Sequence, residues 1–271
     1  VQPGQNHRVA VPWSIFWYES PYHEEGFYYQ QYVWGEDYLL PAFREGSTVY
    51  AWPNKSKINI DGRKDDWPSN AENCHPFNTK EYIYWQMEQW RGKRDLSGNI
   101  AVLWDAAGMY FLITVADDVV YPAKHDMEIW RGDFVELWFD WSLMADFESE
   151  QLNDDDLQLG IRPAVNGSGP EINVLAGNPP FNMQQVKING KVTQGGYWLE
   201  IFMPWPNGMN AANTENIGFA ISVSDTDSEE KPLRTIISNQ PGFKWRNPAT
   251  FGNLVFLNAD FIDSKHGFGG F

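Results

Sequence analysis

Short segments of alternating polar and apolar residues, separated by turn-forming residues, occupy the chain from about residue 57 to residue 257. Asp133–Asp140 is the clearest, because Val135, Leu137 and Phe139 fall on one side of an extended strand and Glu136 on the other. Such alternation is typical of a sheet with one face in a core. It does not fit a helix, in which apolar residues recur every three to four positions.

Other segments carry the same signal. Asn99–Trp104 and Met109–Val115 flank the turn residues Asp105–Gly108 and predict a β-hairpin. Ser56–Asp61 also alternates and ends at a turn-forming Asp-Gly pair. Further strands are predicted near residues 157–163, 171–176, 185–193, 196–203, 216–224, 233–238 and 253–257.

Turn signals at residues 166–167, 189–190 and 195–196 separate these strands, and single helical turns are predicted near residues 66–73 and 208–214. Many short strands with turns about every 8–12 residues indicate an antiparallel sandwich. The predicted fold class is therefore all-β, an antiparallel, jelly-roll-like β-sandwich.

Composition excludes several other classes. The 271 residues include 17 Phe, 12 Tyr and 14 Trp, an aromatic content that disordered chains lack. The 36 Asp and Glu residues outnumber 20 Lys and Arg, so we expect no nucleic-acid partner. No apolar run approaches the ~20 residues that span a bilayer, so no membrane span is predicted. Cys74 is the single cysteine and has no internal disulfide partner.

Residues 1–56 differ from the rest, since they hold 14 aromatic residues with no period of 2 or 3.6. We predict an irregular, aromatic-rich N-terminal extension over residues 1–56, a sandwich over residues 57–258 and a C-terminal tail over residues 259–271. Two interpretations of the extension remain open. Its rings pack on the sandwich, or they form a separate binding or assembly surface.

Eight segments occur in an order and spacing that identify a family: Ile60–Trp67, Ala101–Asp105, Met109–Phe111, Val115–Asp118, Trp130–Asp140, Gly196–Glu200, Ile217–Asp225 and Trp245–Leu254. Together they make residues 57–257 resemble a family 9 carbohydrate-binding module, the type appended to bacterial xylanases. The resemblance implies a non-catalytic, calcium-stabilised β-sandwich. It also implies glycan binding, often at a chain end, between two tryptophans.

The two clamp positions of the family match Trp130 and Trp245, which both stand beside polar, turn-rich sequence. A flat indole covers the apolar face of a sugar ring. The alternative is that one or both rings belong to the core. The resemblance also assigns Glu136 to sugar hydroxyls, and an ionised carboxylate suits hydroxyl donors because it only accepts hydrogen bonds.

Three other polar positions depart from the family. The family arginine falls on Gly160, and Arg162, two residues later on the same strand face, is a plausible substitute. A family glutamine becomes Ser222 and a family asparagine becomes Gly242. Nearby amides that could replace the missing one belong to Asn239 and Gln240. Specificity for glucose or xylose chain ends therefore does not carry over directly.

Carboxylates are the candidate ligands for the calcium that the resemblance implies. Calcium takes six to eight oxygens, many of them from Asp and Glu. The candidates are Asp117, Asp118, Asp133, the Asp154–Asp156 run, Asp225 and Asp227. The alternative for each cluster is a solvated acidic surface.

Function is thus predicted as non-catalytic binding of a poly- or oligosaccharide by a secreted, cell-surface or periplasmic protein whose signal peptide has been removed. The main alternative is a structural or assembly protein in which residues 1–56 mediate self-association. A glycosidase pair formed by Glu136 and Glu200 is disfavoured, since Glu200 occupies a family position without a catalytic role. Haem ligation by His125 and Met127, known in related sandwiches, is disfavoured by the sugar-type tryptophan motifs.

Overall fold

The computed structural model describes residues 47–123, 126–143, 147–165, 167–211, 213–214, 216–229 and 235–257. Thirteen strands form within these residues: β1 Thr48–Pro53, β2 His75–Phe77, β3 Ile83–Trp85, β4 Leu96–Trp104, β5 Gly108–Asp117, β6 Phe134–Asp140, β7 Asp156–Arg162, β8 Glu171–Gly177, β9 Lys187–Thr193, β10 Gly196–Pro204, β11 Asn216–Asp225, β12 Thr235–Ser238 and β13 Gly252–Phe256.

The helices within the described residues are short 3₁₀ segments: Ala71–Asn73, Lys80–Tyr82, Met87–Gln89, Asp126–Arg131, Met183–Gln185 and Pro248–Thr250. The first confirms the helical turn predicted near residues 66–73. The turn predicted near residues 208–214 contains no helix in its described part. None of the described helices is long and apolar enough to cross a membrane.

The strands form one sheet in the order β8-β7-β6-β11-β13-β1-β4-β5-β10-β9, with β12 beside β11, β3 beside β12 and β2 beside β4. We call β8, β7, β6, β11, β13, β12 and β3 the β6 half, and β1, β4, β5, β10, β9 and β2 the β5 half. Strand β1 joins them and is parallel to both β13 and β4. The other pairings are antiparallel.

The inner faces of the two halves enclose the main core. Phe111 of β5 lies 6.1 Å from Phe139 of β6 and 6.4 Å from Phe219 of β11, measured between ring centroids. The alternating residues Val135 and Leu137 are fully buried beside Phe139. Burying each such side chain stabilises the fold by about 1.5–3 kcal/mol. The predicted all-β sandwich is confirmed, with β1 as a parallel exception.

Strand β1 is missing from the sequence prediction, which placed it in the extension. Only Val49 and Ala51 enter the core from this strand, while Tyr50 and Trp52 lie partly buried on its other face. Two small core residues in an aromatic segment give a weak strand signal. The sandwich therefore begins at or before Thr48 in the structure, and residues 1–46 of the predicted extension lie outside the described residues.

The strand predicted over Ser56–Asp61 is wrong. The segment is an irregular loop on the outer face of the β5 half, where Ile58 is buried beside Trp67. Its backbone is held locally, since Asn59 N donates to Asp66 Oδ2 at 2.7 Å. Here the alternation reflects contact of an apolar side chain with a sheet, not pairing within it.

The turn predicted at residues 189–190 is also wrong, because both residues lie inside β9. A Cβ atom on Gly190 would overlap the carbonyl oxygen of Trp198 on β10. The glycine therefore permits a close approach of two backbones. The turn predicted at residues 195–196 is confirmed between β9 and β10, and Gly196 has a φ of +128° there.

Glu200 fastens the 57–67 loop to the β5 half. Its buried carboxylate accepts hydrogen bonds from Gly62 N at 2.6 Å and from Trp67 Nε1 at 2.8 Å. Burial raises the pKa of Glu200, and these two donors oppose that shift. Both of its carboxylate oxygens are thus already in use within the fold.

We expect Glu200→Gln to destabilise the protein by about 1–3 kcal/mol, because one oxygen becomes a donor that faces another donor. For a domain of this size the melting temperature should fall by roughly 3–10 °C in thermal denaturation. Asp65→Asn, which removes an exposed ion pair with Arg63, is the control and should change it little. Equal melting temperatures for Glu200→Gln and wild type would contradict this role.

Candidate functional site

A buried carboxylate lies on the outer face of the β6 half. Glu136 is 4% exposed; it accepts hydrogen bonds from Gln158 Nε2 at 2.6 Å and from Ser222 Oγ at 2.8 Å. Burial raises the pKa of Glu136, while Ser222, Gln158 and the nearby indole N–H of Trp245 lower it. Strand register explains the cluster, since Glu136 pairs directly with Ser222 of β11.

Trp245 stands above this carboxylate and is 55% exposed. Its ring meets the buried ring of Trp138 edge to face, with centroids 6.4 Å apart. Beneath it, Trp138 packs on Phe243 and Phe251 at 5.7 and 5.8 Å. The indole of Trp245 is therefore supported by a buried aromatic layer and still presents much of its surface to solvent.

Trp130 is brought to the same sheet face by its neighbour. Trp130 is 52% exposed at the end of a 3₁₀ segment, whereas Ile129 is buried. A Cβ atom on Gly160 would overlap Ile129 Cδ1, so the isoleucine rests directly on that glycine. Gly160 pairs with Glu136 across β6 and β7. The backbone of Trp130 is thus anchored on the strand beside Glu136.

The contact between Ile129 and Gly160 explains why this chain has glycine where the family has an arginine. Ile129 and Leu175 occupy the space where a side chain at residue 160 would lie. Arg162 is buried at the end of β7 and forms an ion pair with Glu171 of β8 at 2.5 Å. Its guanidinium therefore has a carboxylate partner within the sheet.

The two amides predicted to contact sugar hold backbone groups in the structure. Asn239 Oδ1 accepts a hydrogen bond from Ile221 N at 2.9 Å. Gln240 accepts from Ser47 N at 2.9 Å and donates to Ser47 O at 2.8 Å. Both side chains are buried. Their described contacts hold β11 and the start of β1 in place, and a sugar contact by either stays a prediction.

Sequence reasoning missed two residues of this face, Gln158 and Tyr84. Gln158 lies on the outer side of β7, so its even spacing from Gly160 could have revealed it. The Tyr84 ring packs on Phe243 at 5.0 Å. Burial, and then the charge of Glu136, raises the pKa of the Tyr84 hydroxyl well above its ordinary value. Its segment carries no sequence signal for this position.

Five of the aspartates predicted as calcium ligands come together at one end of the sandwich. Two groups share Asp117, and in each group the carboxylate oxygens lie within 4.8 Å of one another. One group adds Asp118 and Asp227, and the other adds the buried Asp133 and Asp225. The Asp154–Asp156 run joins neither group, and Asp156 pairs with Asp140 across β6 and β7.

The charge of the two groups is balanced differently. Arg91 approaches Asp118 at 3.2 Å and Asp227 at 3.5 Å. Asp117 and Asp133 form no ion pair with the described residues. Burial raises the pKa of Asp117 to about 6. It also raises that of Asp133 well above its ordinary value, with the charge of Asp117 as the next cause.

In the buried group of Asp117, Asp133 and Asp225, one carboxylate oxygen of Asp117 receives no hydrogen bond from the described residues. Asp133 accepts from Thr226 N at 2.7 Å and from Tyr121 N, and Asp117 Oδ1 accepts from Val119 N at 2.8 Å. No donor from the described residues reaches the buried Asp117 Oδ2. Buried carboxylates this close together fit a divalent cation bound by oxygen ligands.

Residues 60–259 match the family described as Carbohydrate family 9 binding domain-like, which covers well over half of the chain. The chain belongs to this family. The resemblance inferred for residues 57–257 is confirmed, and so is the prediction of a non-catalytic domain, because the family is one of carbohydrate-binding modules.

Two relatives of the family 9 domain are xylanases. This chain is 27% identical over 200 residues to endo-1,4-beta-xylanase A of Thermotoga neapolitana. It is 29% identical over 200 residues to endo-1,4-beta-xylanase A of Thermotoga maritima. These matches cover 73% of the chain and 17% of each xylanase. The chain thus spans about a sixth of the length of these relatives.

Solved structures share the fold. The carbohydrate-binding module family 9 from Caldicellulosiruptor kristjanssonii in complex with glucose has a TM-score of 0.58 at 20% identity, over 78% of this chain and 96% of that one. Its complex with cellotriose has a TM-score of 0.56 at 20% identity, over 78% and 93%. A putative carbohydrate-binding protein from Bacteroides uniformis has a TM-score of 0.51 at 13% identity, over 79% and 100%.

The topology of the family 9 domain separates Glu136 and Glu200, the disfavoured glycosidase pair. Glu136 lies on the outer face of β6, and Glu200 lies on the outer face of β10. The main core lies between these faces, so the two carboxylates do not flank a common bond. His125 of the disfavoured haem site, and the side chain of Met127, lie outside the described residues.

Proposed function

We propose that the chain binds a carbohydrate on the outer face of the β6 half, with a sugar ring stacked on Trp130 and Trp245. The observation that carries this proposal is a half-exposed Trp245 beside the buried, hydrogen-bonded Glu136, with the half-exposed Trp130 following Ile129, which rests on the strand paired with Glu136. Exposed indoles attached to a rigid sheet are suited to the apolar face of a sugar. Trp245 is held by Trp138, and Trp130 by the anchor at Ile129.

Glu136 is proposed to accept a hydrogen bond from a sugar hydroxyl. An ionised carboxylate has about four lone-pair positions. Gln158 and Ser222 each occupy one, and the indole N–H of Trp245 lies nearby. At least one position remains for a ligand. The donors around Glu136 also fix its orientation, so it needs no rearrangement when a sugar binds.

The first ligands to test are glucose and β-1,4-linked oligosaccharides. Related family 9 modules are solved with glucose and with cellotriose, and the two relatives by sequence are xylanases. These similarities support glucose, cellotriose and xylotriose as probes. We also propose a secreted or cell-surface location, where such glycans occur. Self-association through residues 1–56 stays a prediction.

Trp130→Ala tests the clamp. Loss of one stacked ring should remove about 1–2 kcal/mol of binding free energy, which is roughly a 5- to 30-fold weaker Kd for cellotriose by calorimetry. Arg131→Gln is the control, because Arg131 lies on the same turn but pairs with Glu128 at 3.1 Å. Binding of all three sugars by Trp130→Ala with wild-type affinity would contradict the clamp. Binding of no glycan by wild type would contradict the function.

We further propose that Asp117, Asp133 and Asp225 hold a calcium ion, with Asp118 and Asp227 beside them. The cation would neutralise the buried carboxylates and tie together the end of β5, the start of β6 and the end of β11. Its role would be structural. Asp133 directly precedes β6 and Asp225 ends β11, and the same two strands carry Glu136 and Ser222. The cation would therefore stabilise the strands on which the proposed sugar site is built.

A further inference from the structure

Two positively charged side chains lie beside Trp245, although the chain carries a net charge of −16. Lys244 and Arg246 flank Trp245 directly and are exposed. The guanidinium carbon of Arg246 lies over the Trp245 ring, 5.1 Å from its centroid. A cation held over an indole face is stabilised by the ring quadrupole, more strongly so where water is excluded.

The backbone holds Arg246 in this place. Its φ of +58° is in the left-handed region, which non-glycine residues seldom adopt because it is strained. The surrounding turn imposes this conformation. Thr250 Oγ1 accepts from Lys244 N at 3.0 Å and donates to Asn247 O at 2.8 Å, while Asn247 N donates to Lys244 O at 3.1 Å.

No carboxylate neutralises Arg246 or Lys244 among the residues that the structure describes. By contrast, Arg91, Arg131 and Arg162 all have acidic partners. The acidic residues at 148 and 150 flank Ser149, whose carbonyl accepts from Ala249 N at 3.0 Å. Neither forms an ion pair with Arg246 or Lys244. In so acidic a chain, an unpaired and conformationally constrained arginine at the rim of a binding face is available for an anionic ligand.

We propose that this site takes a sugar bearing a carboxylate, a uronic acid, and that Arg246 recognises the acid group while Trp245 stacks on the ring. This inference rests on the proposed function and names its ligand class. A guanidinium presents planar pairs of N–H donors that match the two oxygens of a carboxylate. Because the guanidinium covers one face of the indole, the sugar would stack on the other face, and those donors would reach its carboxylate around the edge of the ring.

Titrations with matched sugars test the proposal. The probes are D-glucose against D-glucuronate, and cellotriose against β-1,4-linked triglucuronate. Wild type should bind the acidic member about 5- to 10-fold more tightly at low salt, and the difference should shrink as salt is added. Arg246→Gln should remove the preference and keep the affinity for the neutral sugar within about twofold. Glutamine has the same left-handed backbone cost, so the turn should persist.

Arg63→Gln is the control, since it removes the same charge from the loop on the β5 half. It should leave the preference intact. An Arg246→Gln variant that keeps the preference, or wild type that binds glucose but not glucuronate, would overturn the proposal. Equal or tighter binding of glucose 6-sulfate would overturn the carboxylate assignment. If wild type binds neither neutral nor acidic sugars, the proposed function itself fails.

Discussion

Replacing Trp245 with alanine should weaken cellotriose binding by roughly 30-fold or more, a loss of about 2–4 kcal/mol that is typical when a central aromatic anchor is truncated. Two losses combine. The sugar loses its stacking surface above Trp138. Glu136 loses the indole N–H that lies beside its buried carboxylate and lowers its pKa. Calorimetric titration of both proteins measures the change in Kd.

Trp198→Ala is the matched control for the loss of an indole. Trp198 lies on β10 of the β5 half, where it donates to Gly62 O at 3.1 Å and packs under Lys64. Its removal should lower the melting temperature and leave the Kd unchanged. A Kd for Trp245→Ala within twofold of wild type would place the sugar elsewhere. Equal losses in both variants would point to general destabilisation.

Much of the fold could be predicted from alternation alone. Asp133–Asp140 became β6 with Val135, Leu137 and Phe139 in the core, as its pattern indicated. Alternation gave a wrong strand prediction where an apolar side chain is buried without its segment pairing into a sheet. At Ser56–Asp61 an apolar side chain rests on a sheet without joining it, and the outcome depends on distant Glu200, which no local pattern contains.

The site residues that could be predicted from the sequence are those that lie within one of the family's sequence motifs. Glu136 and Trp245 were found this way and lie together in the structure, although their contact with sugar stays a prediction. Gln158 was missed, because its role depends on the register of β7 against β6. Arg162 was chosen by strand face, but the sequence could not reveal its partner Glu171 on β8. Side-chain partners across a sheet follow from register, which sequence specifies only indirectly.

Calcium should raise the melting temperature of the wild-type protein, and chelation should lower it. A cation present at about 100 times its Kd stabilises the folded state by about 3 kcal/mol. For a domain of this size that is roughly 6–12 °C in thermal denaturation. The gain arises because Asp117, Asp133 and Asp225 otherwise hold buried carboxylates within 4.8 Å of one another. Equal melting temperatures in calcium and in chelator would contradict a structural calcium site.

Asp117→Asn should reverse this response. Asparagine keeps the oxygen that accepts from Val119 N, and it replaces the other oxygen, which no described donor reaches, with an amide that can donate to Asp133. In chelator the variant should therefore melt above wild type, since one of the mutually repelling charges is gone. In calcium it should melt below wild type, since a ligand is lost. Asp118→Asn alters an exposed carboxylate paired with Arg91 and is the control. Its melting temperature should stay close to that of wild type in chelator, and calcium should raise it by as much as it raises that of wild type. A cation bound at the buried group predicts opposite signs in the two conditions from Asp117→Asn, whereas loss of a water-exposed ion pair changes stability little in either condition.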